Sequence, residues 1–249
     1  MNPWPWPRVF AHRCGGSLAP ENTLEGLEVA ARYGTGVEFD VMLSADGTAH
    51  LIHDETLERT TSGRGRVAEV GDAQLATLDA GAWFSPRFAG ARIPLFEEAA
   101  RRCLALGLAV NIEIKPAAGQ ALRTGQVVAR LTRELWQGAS CPPLLSSFSE
   151  TALEAAREVA PELPRGLLVE AVPPDWRQRC ERLGVRALHA DTRTLSQPQA
   201  RAVKAAGLWL VLYTENDATA ARERFAWGAD GLITDRPDRV QAPRGPASP

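Results

Sequence analysis

The chain has 249 residues, 45% apolar and 23% charged, the composition of an ordinary water-soluble globular protein of one domain or two small ones. Its 28 basic and 30 acidic side chains leave a formal net charge of −2, which excludes the basic footprint of a nucleic-acid or anionic-membrane binder. No apolar run approaches the roughly 20 residues needed to span a bilayer. The opening MNPWPWPRVF carries three prolines and no apolar stretch, so it does not read as a secretory signal, and the protein is expected in the cytoplasm. Cys14, Cys103, Cys141 and Cys180 form no CxxC pair and have no histidine at ligand spacing. Free thiols are expected, not a zinc site or disulfides.

Taken in chain order, Trp4 and Trp6 precede the first strand and are expected to plug the floor of the fold. Short apolar runs then follow at 9–12, 37–41, 50–53, 110–114, 144–148, 166–169, 187–190, 210–213 and 231–233. Amphipathic stretches such as TLEGLEVAARYG and LFEEAARRCLALG separate most of them and stop at a glycine, as helices often do. This alternation predicts a parallel sheet covered by helices, and the length suits a (β/α)8 TIM-type barrel.

Nine runs are one too many for eight strands. The connection between 37–41 and 50–53, MLSADGTA, is too short for a crossover and contains Asp46-Gly47, a hairpin signal. The chain is therefore expected to turn there and return beside the second strand. With Ala45 facing Thr48, Asp40 would stand opposite His53, and His50 would point away. Residues 54–94, rich in glycine and aromatics, are expected to form a small insertion at the barrel mouth. A single barrel domain over 1–240 and a flexible proline-rich tail over 241–249 complete the organisation, a distorted barrel with a hairpin after its second strand.

Reactive groups in parallel barrels sit at the C-terminal strand ends. Those ends carry His12 and Arg13, then Glu38 and Asp40, then Glu113 and Lys115. Alternation puts Glu38 with Asp40, and Glu113 with Lys115, on one face. Three carboxylates in a confined mouth are costly unless paired, and a hard divalent cation would use their oxygens as ligands. Beside them the hairpin register brings His53 to join His12, a pair suited to acid–base work on a phosphoester. Gly15 and Gly16 are expected to let the backbone approach an anion, and Asn22 in Pro-Glu-Asn-Thr to cap the next helix. His189 is expected only to line the barrel rim. Taken singly, each of these groups has a purely structural reading; their convergence at one end of the barrel gives them weight.

The stretches AHRCGGSLAPENTLEG, VEFDVMLSADGTAHLIHDETLERTTSGRG, NIEIKP, LLSSF and ADGLITDRPD, in this order, resemble the glycerophosphodiester phosphodiesterase family, and most of all its short cytosolic bacterial form. The resemblance runs from about Trp4 to Asp238. It implies a distorted barrel with a small insertion, and one Mg2+ or Ca2+ held by Glu38, Asp40 and Glu113. It further implies His12 and His53 as the acid–base pair, Arg13 and Lys115 as phosphate ligands, and Phe148 and Tyr213 lining the substrate pocket. The substrate would be a small glycerophosphodiester such as glycerophosphocholine or glycerophosphoethanolamine, cleaved to sn-glycerol 3-phosphate and an alcohol; no oligomeric state is implied. Alternatives are a lysophospholipase D, a phospholipase-C-like cyclising enzyme, or an impaired binding protein. Two departures stand out: Cys14 where the family usually has glycine, and Tyr213 where tryptophan is common. Cys14 is expected at negative φ, where a side chain is tolerated.

Overall fold

The fold is described from a computed structural model over residues 3–243. Strands β1 (Val9–Ala11), β2 (Gly36–Leu43), β3 (Ala49–Leu51), β4 (Val110–Ile114), β5 (Leu144–Ser147), β6 (Arg165–Val169), β7 (Ala187–Asp191), β8 (Trp209–Tyr213) and β9 (Gly231–Thr234) fall close to the nine runs read from the sequence. Eight of them pair in parallel, and β1 joins both β9 and β2, so the sheet closes into a TIM-type barrel. The ninth, β3, runs antiparallel to β2 outside the ring. Helices cover the outer face, so the barrel strands are buried along almost their whole length and read as nearly continuous apolar runs. Helices α1 (Leu24–Tyr33) and α3 (Phe96–Leu106) stop at Gly34 and Gly107, left-handed at φ 63° and 65°, as the glycine signals predict.

The floor is closed as expected. Trp4 and Trp6 pack edge-on at 4.7 Å, and both meet Trp209 at 5.7 and 5.1 Å. Each such pair contributes about 0.5–1.5 kcal/mol beyond its buried area. The Trp6 indole N–H donates to the Pro142 carbonyl at 2.8 Å, so its burial leaves no polar atom unpaired.

Between β3 and α3 the chain makes only α2 (Asp72–Leu75) and two single 3-10 turns, Val67–Glu69 and Pro86–Phe88. This segment has its own apolar cluster, with Met42, Ile52, Leu57, Val67, Leu75 and Ile93. Arg59 carries it to the barrel mouth, where it meets Glu21 in the loop after β1.

Two expectations need correction. The hairpin register is shifted by one residue: Val41 faces Leu51 and Met42 faces His50. Gly47 at φ 83° extends the expected two-residue turn to three, with Ser44 N–H donating to the Thr48 carbonyl at 2.9 Å. His53 therefore lies beyond the end of β3. A bend in the chain, not strand alternation, delivers it to the mouth. His189 is not at the rim. It is fully buried inside the barrel, its ring within 2.5 Å of where a Cβ on Gly166 would stand. After β9, within the expected barrel domain, Val240 is buried in the core and Arg236 N–H donates to the Thr234 hydroxyl. Residues 244–249 of the expected flexible tail lie outside the described residues.

Candidate active site

The loop leaving β1 is the most strained in the protein. Arg13, Cys14 and Asn22 all have positive φ (48°, 76° and 54°), and among the described residues no other non-glycine does. This overturns the negative φ expected at Cys14. The local bonding over-determines the strained path. Arg13 N–H donates to Glu38 Oε2 at 2.9 Å, Cys14 N–H to the Glu38 carbonyl at 2.8 Å, and Asn22 N–H to the Arg13 carbonyl at 2.9 Å. The glycines serve this folding and do not line the cavity. A Cβ on Gly16 would lie 2.4 Å from the Asp235 carbonyl, and one on Gly15 would lie 2.9 Å from Gly26 Cα. Asn22 does not cap α1 either. Its amide donates to Asp40 Oδ2 at 2.9 Å and its Oδ1 accepts from Asp40 N–H at 3.2 Å, leaving Thr23 at the helix boundary.

All nine side chains singled out from the sequence line one cavity of about 530 Å³ at the C-terminal mouth: His12, Arg13, Glu38, Asp40, His53, Glu113, Lys115, Phe148 and Tyr213. Carboxylate oxygens of Glu38, Asp40 and Glu113 lie within 4.8 Å of one another, all buried. Burial, with the charges of Asp40 and Glu113, pushes the Glu38 carboxyl well up. Burial, with Asp40, pushes Glu113 up to about 7. Burial would raise Asp40 as well, but Lys115, His53 and Arg13 outweigh it and hold it down. Carboxylates this close do not all ionise together without further positive charge. Three hard oxygen donors of this kind fit a divalent Mg2+ or Ca2+ better than a soft metal.

Two cations lean on the trio. Lys115 Nζ is 3.1 Å from Glu113 Oε1 and 3.7 Å from Asp40 Oδ1, and Arg13 Nε is 3.7 Å from Asp40 Oδ2. Lys115 Nζ also lies 2.7 Å from His53 Nε2. An ammonium can only donate, so His53 Nε2 offers its lone pair and the ring proton sits on Nδ1, bonded to Asp54 Oδ1 at 2.6 Å. Burial, helped by the Arg13 and Lys115 charges, lowers the His53 pKa and keeps the ring neutral. On the other side, His12 Nδ1 meets Asp235 Oδ1 at 2.7 Å, and Asn216 donates to Asp235 Oδ2 at 2.9 Å. The Phe148 and Tyr213 rings meet edge-on at 6.0 Å, and Tyr213 donates its hydroxyl to the Val169 carbonyl, so it presents ring rather than hydroxyl to the cavity.

Sequence reasoning missed the carboxylates behind the histidines. Asp54 follows His53 directly. Asp235 stands just past the end of β9, and reading every strand end alike would have found it. Nor was the far wall anticipated, where Glu170 follows β6, Asp191 ends β7 and Arg193 lies just beyond it.

Cations that can hold an anionic diester, set beside two carboxylate-backed imidazoles in a barrel mouth, define a hydrolase of phosphoric diesters. The chain belongs to the glycerophosphoryl diester phosphodiesterase family, whose model matches residues 12–239. It is similar to a phosphodiesterase from Oleispira antarctica solved with the product sn-glycerol-3-phosphate, at 35% identity and a TM-score of 0.89, covering 94% of this chain and 95% of that one. The glycerophosphodiester phosphodiesterase of Caldanaerobacter subterraneus is 32% identical over 234 residues, spanning 93% of this chain and 95% of its own. That of Agrobacterium tumefaciens is 30% identical with a TM-score of 0.78, covering 93% and 97% of the two chains.

Proposed function

We propose that the protein hydrolyses small glycerophosphodiesters, glycerophosphocholine and glycerophosphoethanolamine among them, to sn-glycerol 3-phosphate and the free alcohol, with Glu38, Asp40 and Glu113 holding one Mg2+ or Ca2+. The observation that carries this reading is the pair of histidines whose Nδ1 atoms are both engaged by carboxylates. This turns each Nε2 toward the cavity, where Lys115 holds that of His53 at 2.7 Å. When bound, the cation supplies Lewis-acid stabilisation of negative charge on the phosphoryl oxygens.

Arg13 and Lys115 bind the phosphodiester anion and hold it against the histidines. Neutral His53, whose Nε2 lone pair Lys115 gives up as it turns to the phosphate, takes the proton from the attacking oxygen, and Asp54 stabilises the imidazolium that results. His12, steadied by Asp235, serves as the acid, giving a proton from Nε2 to the leaving alkoxide. Phe148 and Tyr213 pack against the carbon skeleton of the glycerol. The polar lining favours a soluble diester over a lysolipid: Phe84 meets Trp83 and Phe88 edge-on, and none of the three lines the cavity. The four cysteines are free thiols, which suits a cytoplasmic enzyme, and no described helix is long and apolar enough to cross a membrane.

The test is release of sn-glycerol 3-phosphate from glycerophosphocholine, first in EDTA and then with Mg2+, Ca2+ or Mn2+. Wild type is run beside His12→Ala and His53→Ala. Cation-dependent release that falls by about 10²–10⁴-fold in each variant is expected. A wild type that binds glycerophosphocholine without turning it over would leave only a binding protein.

A further inference from the structure

One cation at the mouth touches no part of the cavity, yet bonds to partners on both of its sides. Arg59, in the insertion, donates Nε to Asp54 Oδ2 at 2.5 Å and Nη2 to Asp54 Oδ1 at 3.0 Å. The same guanidinium donates Nη1 and Nη2 to the two oxygens of Glu21, each at 2.8 Å. Asp54 holds His53, and Glu21 Oε1 accepts from Arg13 Nη1 at 3.0 Å. We propose that Arg59 is a positioning residue: one two-sided fork that fixes the His53 ring through Asp54 and the Arg13 guanidinium through Glu21, tying the insertion to the reactive mouth. The inference rests on the phosphodiesterase reading of the site.

Several observations support a role beyond surface charge. Among the described residues the Arg13 guanidinium donates one side-chain hydrogen bond, to Glu21, so whatever fixes Glu21 also fixes Arg13. The two histidines are also treated differently. His12 leans on a carboxylate steadied by the neutral Asn216, whereas the carboxylate behind His53 is neutralised by a guanidinium. Only arginine can serve two carboxylates at once through a planar fork; lysine keeps the charge and loses the geometry. With a side chain 45% exposed, Arg59 contributes little to global stability through these ion pairs.

The experiment compares wild type with Arg59→Ala, Arg59→Lys, Glu21→Gln/Asp54→Asn, and that pair combined with Arg59→Ala, on glycerophosphocholine. Arg59→Ala should lower kcat/KM on the order of 10- to 100-fold while the melting temperature moves by no more than about 4 °C, and Arg59→Lys should recover only part of the loss. Added to Glu21→Gln/Asp54→Asn, it should cost little more, because its two partners are already gone. The groups facing His53 are Asp40 from β2, Arg13 from the loop after β1, Lys115 from the end of β4, and Asp54 beside it. Removing Arg59 leaves Asp54 uncompensated and favours the protonated ring, so the limb of the pH–rate profile that belongs to His53 should move to higher pH. Full activity in Arg59→Ala, effects that multiply independently, or an unmoved limb would overturn the proposal. The 15N shifts of His53 test it without turnover: wild type should show the Nδ1–H tautomer and Arg59→Ala a mixture, whereas one tautomer in both would overturn it. If wild type turns over no glycerophosphodiester, the functional reading fails, and the tautomer measurement still decides whether Arg59 sets the ring.

Discussion

Cys14 offers a sharp test of the strained loop. The residue sits at φ 76° with no exposed surface, packed among Leu27, Ala30 and Phe39, away from the cavity. Its fit is tight, since a Cβ on Gly26 would lie 2.7 Å from the Cys14 Cβ. Cys14→Ala removes the sulfur and keeps the strain, at a cost of about 1–2 kcal/mol in transfer and cavity terms. Cys14→Gly loses roughly another 0.8 kcal/mol of burial and about 0.5–1 kcal/mol of chain entropy, but regains about 1–2 kcal/mol by relieving the left-handed backbone. The two variants should therefore unfold within about 1 kcal/mol of each other, some 2–4 °C in melting temperature for a chain of this size. Both should keep their phosphodiesterase activity. Urea unfolding of wild type and the two variants decides the matter. A glycine variant more than about 2 kcal/mol below the alanine variant would show that this backbone stores no strain. Burial also pushes the Cys14 thiol far up, so a thiol reagent should spare it in the native protein while modifying the partly exposed Cys141; rapid native-state loss of Cys14 would refute its burial.

Two further predictions concern protons. His189 is completely buried with no hydrogen-bond partner on either nitrogen among the described residues, and burial lowers its pKa to about 3. The unfolded chain binds this proton below about pH 6.5 and the native state does not. Stability contributed by the neutral ring is thus complete above that pH and is lost as the pH falls toward 3, by about 2 kcal/mol at pH 5; His189→Leu should flatten the difference in urea midpoint between pH 7.5 and pH 5. The second follows from Glu113, pushed up to about 7 by burial and Asp40. Binding of Mg2+ or Ca2+ near neutral pH should release a fraction of a proton, more at pH 6 than at pH 8. Calorimetry in buffers of different ionisation enthalpy reads this, and pH-independent binding with no proton release would contradict the coupled carboxylates.

The barrel was legible because parallel strands buried on both faces leave long apolar runs, and eight of them alternate with amphipathic helices. Glu38, Asp40, Glu113 and Lys115 were legible for the same reason: strand alternation fixes which face they share. Away from regular strands that logic weakens. The His53 assignment reached the right cavity by a register one residue out, because Gly47 lengthens the turn and a bend then brings the ring round. Asn22 looked like a helix cap by residue type, yet its amide is spent on Asp40. Arg59 and Glu21 lie 38 residues apart on two irregular segments. No local periodicity reports such a contact, so the outer support of the site could not be read from spacing.

The charges at the mouth explain why that support exists. Its carboxylates, Glu38, Asp40, Glu113, Glu21, Asp54 and Asp235, outnumber the cations Arg13, Lys115 and Arg59, although the intended substrate is itself an anion. Arg59 bonds to both Glu21 and Asp54 and offsets one of their two charges, and Glu21 also pairs with Arg13, so both orient side chains with less repulsion of a phosphodiester. Asp235 sits behind His12 and acts on the imidazole rather than on the cavity. Within the buried trio, Glu38 and Glu113 are pushed toward neutrality while Asp40 is held ionised. A divalent cation there would let all three ionise and turn the field of the cavity from repelling an anion to attracting one. Arg13 and Lys115, each within 4 Å of this trio, are partners of its carboxylates. A bound divalent cation would loosen that hold and leave both free to face an anion.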